Sequence, residues 1–202
     1  RGLGSMSSKS LAENMPEFVQ EIDPDVVRRS APPGRQVALM FTDMVNSTYI
    51  SYEMGQKNFI ANVLLPHNAT IRVALGMYSG REVKTIGDAF FAVFDSPIDA
   101  VRCAMSIQSR FAHQRIKTNV GDLKVRIGIH TGEPVSIGGD FIGTDVDQAA
   151  RLEDVALGGQ ILISETTYEE IAPETDIPTH YLGKHQFKGL PDMMRLFEVL
   201  WA

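Results

Sequence analysis

Two short runs, Glu82–Ile86 and Ala89–Phe94, flank the pair Gly87-Asp88 and constrain this chain more than any other stretch. The pattern predicts a strand, a tight turn and a second strand. Gly87 supplies a permissive backbone, and Asp88 stands at the tip, rigidly held at the lip of a sheet. As a turn former Asp88 needs no further explanation, since Gly-Asp pairs commonly make turns. A second aspartate earlier in the chain opens another reading.

The residues on either side fix where that hairpin sits. Gln36–Phe41 reads as a buried strand, and 47–78 carries mostly helical spacing. Ser47 or Asn46 is its expected N-cap, Gly76 lies near its end, and Pro66 kinks or restarts it. After the hairpin, Ser96-Pro97 starts a second helix whose Ala100, Ala104, Ile107 and Phe111 recur at three to four. Leu123–His130 alternates as a strand, with Val125, Ile127 and Ile129 on one face. The order strand, helix, strand, strand, helix, strand is the split βαβ arrangement. The expected fold class is therefore α+β: a ferredoxin-like or palm-type antiparallel sheet with helices packed on it, extended by C-terminal strands and a helix. A right-handed first crossover leaves room for the third strand between the first two, antiparallel to the first. The C-terminal end of the first strand then lies beside the hairpin turn, so Asp43 and Asp88 should meet at one edge.

Two unpaired carboxylates side by side repel unless a cation sits between them. Oxygen ligands from two carboxylates, completed by water and phosphate, suit magnesium or manganese. Asp43 has a plainer reading as a helix cap, because Thr42-Asp43 closely precedes a helix. Further on, Asp147 and Arg151 are four apart on one predicted helix face, which also describes an ordinary surface ion pair. Lys84, taken alone, is a solvated strand residue.

These segments together resemble a known family. They are Phe41-Thr42-Asp43-Met44 with Ser47-Thr48, Val83–Asp88, Ile127–Gly132, Ala149-Ala150-Arg151-Leu152, Gly158–Ser164 and Phe187-Lys188-Gly189-Leu190. In this order and spacing they resemble the class III nucleotidyl cyclase catalytic domain, from about Gln36 to Val199. The resemblance implies that Asp43 and Asp88, with the backbone carbonyl of Met44, hold two Mg²⁺ or Mn²⁺ ions. It implies that Lys84 and Asp140 read the base, a donor for adenine N1 and an acceptor for the 6-amino group, which favours ATP over GTP. Arg151 would steady charge on the transferring phosphate and Lys188 would bind the triphosphate. The reaction implied is attack of the ribose 3′-oxygen on the α-phosphorus with departure of pyrophosphate, giving cyclic AMP. A head-to-tail homodimer is implied too, with metals from one chain and base readers with Arg151 from the other.

The chain departs from the family pattern in three places. Asp147 stands where the family usually has an asparagine that orients ribose and phosphate, and losing such a donor typically costs about 10² to 10³ in rate. Asn46 replaces a common glycine, and 132–139 is short. A weakly active nucleotide-binding or regulatory domain is thus the alternative to an active adenylate cyclase. Gly138-Gly139-Asp140-Phe141 imitates part of a diguanylate cyclase signature, but it lacks the second acidic residue and precedes a helix start.

Composition narrows the rest. The 202 residues, 44% hydrophobic, suffice for one filled domain, expected over 35–202, after a tag remnant and partly helical linker in 1–34. A net charge of −6 without a basic stripe argues against nucleic acid as a partner. No apolar run is of spanning length and no signal peptide is visible, so a cytoplasmic protein without membrane contact from this segment is expected. The single cysteine, Cys103, excludes an internal disulfide and reads as a small core residue.

Overall fold

The structure is a computed structural model, and it describes residues 35–190 and 192–202. The short helices expected around Leu11–Glu21 and Pro24–Arg29 lie outside the described residues. In chain order, β1 (Val37–Met44) leads into α1 (Ser47–Met54), α2 (Gln56–Phe59), a π-helical turn (Ile60–Leu64) and α3 (Leu65–Met77). The hairpin β2 (Arg81–Ile86) and β3 (Ala89–Phe94) follows, then α4 (Pro97–Gln114) and a ribbon of β4 (Lys117–Thr118) with β5 (Gly121–Asp122). Next come β6 (Val125–Gly132), the small hairpin β7 (Val135–Ile137) and β8 (Asp140–Ile142), and α5 (Thr144–Val155). The C-terminal additions are β9 (Ile161–Ser164), α6 (Glu165–Ile171), β10 (Thr179–Gln186) and β11 (Met193–Val199).

The main sheet has seven strands in the order β10-β11-β9-β6-β1-β3-β2. Its half β6-β1-β3-β2 is the split βαβ order, with β3 inserted between β1 and β2 and antiparallel to both. Only β6 and β9 run parallel. The mixed α+β class and its C-terminal extension are as expected.

The helical stretch after β1 differs from the continuous helix its spacing predicts. Gly55 at φ +76 breaks it, and Pro66 falls in the first turn of α3, directly after the π-helical turn. Asn46, at φ +61, adopts the left-handed conformation and makes no side-chain cap. Ser96 does cap α4, accepting from the Asp99 N–H at 3.2 Å. The short stretch after β6 holds the β7–β8 hairpin, turning through positive-φ Gly138 and Gly139.

Alternation along β1 splits its side chains between two cores. Ala38, Met40 and Met44 pack with Ile71, Ala104 and Ile107 under α3 and α4. Val37 and Leu39 face the other way, with Phe91, Val93, Phe141 and Ala149 beneath α5. Burial pushes the Cys103 thiol up to about 12, an inert core position.

Candidate active site

The antiparallel register of β1 and β3 runs out at Thr42 opposite Phe90, so Asp43 follows on one strand, and Ala89 and then the Gly87-Asp88 turn on the other. The topology thus brings the two aspartates to one edge. Asp88 is half-buried, and its Oδ2 is enclosed without a hydrogen-bond partner. Burial raises the Asp88 carboxyl above the ordinary range; the Ser47 hydroxyl opposes that and the Asp43 charge reinforces it. An enclosed carboxylate oxygen with no donor, beside a second carboxylate, is the donor set a hard divalent cation satisfies. Met44 ends β1 with its side chain in the core, which leaves its backbone at the edge. Among the described residues no group of three or more His, Cys, Asp or Glu is arranged to hold a metal. Further ligands for such a cation would have to be water, backbone or phosphate oxygens. The residues fit Mg²⁺ or Mn²⁺ on this chemistry.

A residue that the sequence reading overlooked stands across from Asp43. Arg126 on β6 is its register partner, and its Nη2 donates to Asp43 Oδ2 at 2.6 Å. Its Nε also lies 2.6 Å from Glu153 Oε1 on α5. Gly128 explains the proximity: a side chain there would strike the Ala149 carbonyl oxygen at 2.8 Å and the Glu153 backbone, so glycine lets α5 lie flush on β6. Burial pushes the Glu153 carboxyl up to about 7 against the pull of Arg126, with Asp43, Asp154 and Asp88 adding to the rise. The sequence carried a signal for Arg126, a cation set among the alternating apolar residues of β6. For Glu153 it carried none, because only helix packing places it. A cleft of about 470 Å³ opens at this edge, lined in part by Asp43, Ser47, Arg126 and Gly158.

Lys84 and Asp140 meet although they are far apart in sequence. Lys84 Nζ donates to Asp140 Oδ2 at 2.6 Å, both groups remaining substantially exposed. Lys84 lies opposite Phe91 in the β2–β3 register, and its ammonium sits 5.7 Å from that ring's centre. Phe41 and Phe91 stack at 4.4 Å, and Phe141, next to Asp140, meets Phe91 edge-on at 6.3 Å. This aromatic cluster positions the pair. The lysine holds the Asp140 carboxyl below the usual range.

The expected pairing of Asp147 with Arg151 is not found. Arg151 Nη1 donates instead to Asp154 Oδ2 at 3.0 Å, three residues on. Asp147 is exposed on the first turn of α5, where a carboxylate suits the positive end of the helix. The acid that anchors this helix is Asp145. It accepts from the Glu133 N–H at 2.9 Å and lies 3.1 Å from His130 Nε2, whose Nδ1 meets Ser164 Oγ at 2.9 Å. Lys188 is exposed in the turn after β10, beside the buried Phe187.

Comparison with known proteins finds relatives of the whole described fold. The family model of the adenylate and guanylate cyclase catalytic domain matches residues 30–199. The receptor-type adenylate cyclase GRESAG 4.3 of Trypanosoma brucei brucei is 30% identical over 84% of this chain, which spans 17% of that protein. A solved adenylate cyclase from Trypanosoma brucei, in its monomeric state, superposes with a TM-score of 0.76 at 26% identity, over 84% of this chain and 89% of that one. The guanylate cyclase domain from Catenaria anguillulae in complex with GTP superposes with a TM-score of 0.72 at 26% identity, over 82% and 96%. Both base specificities thus occur on this backbone.

Proposed function

The chain belongs to the family of adenylate and guanylate cyclase catalytic domains, and on that premise we propose that residues 35–202 form an adenylate cyclase domain converting ATP to 3′,5′-cyclic AMP and pyrophosphate. The observation that carries the reading is the carboxylate pair Asp43–Asp88 with the unpartnered Asp88 Oδ2. Bound there, two Mg²⁺ or Mn²⁺ ions would make the ribose 3′-hydroxyl more acidic and neutralise the departing phosphates. The protein's own part is positional and electrostatic. Asp43, Asp88 and the Met44 carbonyl hold the cations, and the 3′-oxygen forms a bond to the α-phosphorus as the bond to pyrophosphate breaks, its proton leaving to solvent. Arg126 is a cation at the same edge, suited to phosphate oxygens once it is free of Asp43.

Base selection rests on Lys84 and Asp140. Their mutual bond gives way to two bonds with adenine: the ammonium donates to N1, and the carboxylate accepts from the 6-amino group. Guanine offers a proton to the lysine and a carbonyl to the carboxylate, leaving both unpaired, which disfavours it. Arg151, turned outward onto an exposed Asp154, and the exposed Lys188 supply charge to phosphates held by a second copy in a head-to-tail homodimer.

Asp147 favours a second reading, a domain that binds nucleotide and turns over slowly. Cyclic AMP and cyclic GMP formed from ATP and GTP, with Mn²⁺ and then Mg²⁺, test both. Preferential cyclic AMP formation is expected. Equal use of the two nucleotides would overturn the Lys84–Asp140 assignment, and nucleotide binding without product would establish the second reading.

A further inference from the structure

Arg126 does not hold its three partners in the same way. Its Nη2 and Nε donate to Asp43 Oδ2, at 2.6 and 3.2 Å, and its Nη1 donates to the Asp154 carbonyl at 3.2 Å. Glu153 Oε1 is 2.6 Å from Nε, yet that oxygen is buried and accepts no hydrogen bond, because the Nε proton points to Asp43. The guanidinium therefore occupies one carboxylate while a second, enclosed and unsatisfied, waits within contact distance. Glu153 is only 8% exposed and fixed by the packing of α5 over Gly128. It cannot swing away to find water.

We propose that Arg126 is an internal competitor for the cation site at Asp43, and that Glu153 is the positioning residue that takes the guanidinium when a divalent cation arrives. The inference rests on the reading of Asp43 as a cation ligand. A cation on Asp43 removes two of the hydrogen bonds to Arg126 and repels its charge. A small turn of the guanidinium then points Nε–H at Glu153 Oε1, satisfying the orphaned oxygen while the Asp154 carbonyl stays in place. The exchange keeps the arginine desolvated and charge-paired, where loss of a partner would otherwise leave a partly buried charge uncompensated. It also leaves Arg126 beside the phosphates instead of across the carboxylate that binds the metal. Without Glu153 the arginine keeps only the Asp154 backbone carbonyl once Asp43 is taken, so cation binding breaks a carboxylate pairing that nothing replaces.

Mn²⁺ alone, without nucleotide, is the probe, with free ion read by electron paramagnetic resonance at pH 8, above the value of about 7 to which burial lifts the Glu153 carboxyl. Wild type, Glu153→Gln, Arg126→Gln and the double variant form a cycle. Glutamine fills the same buried space as Glu153, and thermal unfolding of each protein checks the fold. Glu153→Gln should weaken Mn²⁺ binding more in the presence of Arg126 than in its absence, by about threefold to tenfold, in the lower part of the range for directly coupled side chains. Additive effects in the cycle would overturn the proposal, since they would mean that Glu153 acts on the ion independently of Arg126. Asp43→Asn separates the two ideas. If it leaves Mn²⁺ affinity intact, Asp43 is not a ligand and both readings fall; if it abolishes binding while the cycle is additive, only the competition between Arg126 and the cation is excluded.

Discussion

Asp147 carries two physical roles that pull in opposite directions. On the first turn of α5 a carboxylate stabilises the helix by about 0.3–1 kcal/mol. At the position of a ribose-orienting asparagine it lacks a donor and brings negative charge to a triphosphate. An ion pair of Asp147 with Arg151 does not add to that penalty, because Arg151 is engaged by Asp154. Asp147→Asn should therefore raise kcat for ATP, by about tenfold or more if the full donor is regained, with a smaller change in KM. It should also lower thermal stability slightly. Steady-state kinetics and melting curves at matched dimer concentration check the two halves. Unchanged or reduced turnover would make the carboxylate a working part of the site.

At the scale of elements, the contact of α5 with β6 decides where the charged groups fall. Gly128 is the point of closest approach, and an added methyl group there meets backbone that cannot rotate aside. Gly128→Ala should destabilise the fold by about 1–3 kcal/mol, the usual range for overpacking. It should also reduce activity in the protein that remains folded, because it lifts Glu153 from Arg126. Gly76→Ala in α3 is the control: its backbone needs no positive φ, and an added Cβ there meets no atom within 4 Å. Urea denaturation beside activity per folded molecule separates the effects. Equal stability losses at both positions would show that helix packing at Gly128 is not special.

For the molecule as a whole, the two halves of the proposed site belong to different surroundings. The carboxylates Asp43 and Asp88 sit at a partly enclosed edge, whereas Lys84, Arg151 and Lys188 are all exposed. Large apolar side chains are exposed as well, among them Tyr52, Leu65, Ile86 and Leu157, and no helix among the described residues is long and apolar enough to cross a membrane. Asp43→Ala and Lys84→Ala proteins should each be nearly inactive. Mixed, they should recover activity, because a heterodimer contains one site with both intact halves. Absence of recovery despite demonstrated subunit exchange would mean that each site is built within one chain.

The strand order of the hairpin half and the meeting of Asp43 with Asp88 were legible from sequence, since local periodicity and crossover handedness leave few alternatives. The adjacency of Lys84 and Asp140 came from family resemblance and is seen as an ion pair. The break at Gly55 was missed because helical spacing continues on both sides of it. The β7–β8 hairpin was missed because three-residue strands are too short for alternation to show. Arg151 was assigned the wrong partner because Asp147 and Asp154 both lie on its helix face at permitted spacings, and only rotamers in the folded chain choose between them. Arg126 was visible as a cation among the apolar residues of β6, but its contact with Glu153 was beyond sequence reasoning for the most basic cause. Local patterns tell which face a side chain takes, whereas their contact arises from a helix laid against a strand through one glycine, a juxtaposition that only the tertiary fold creates.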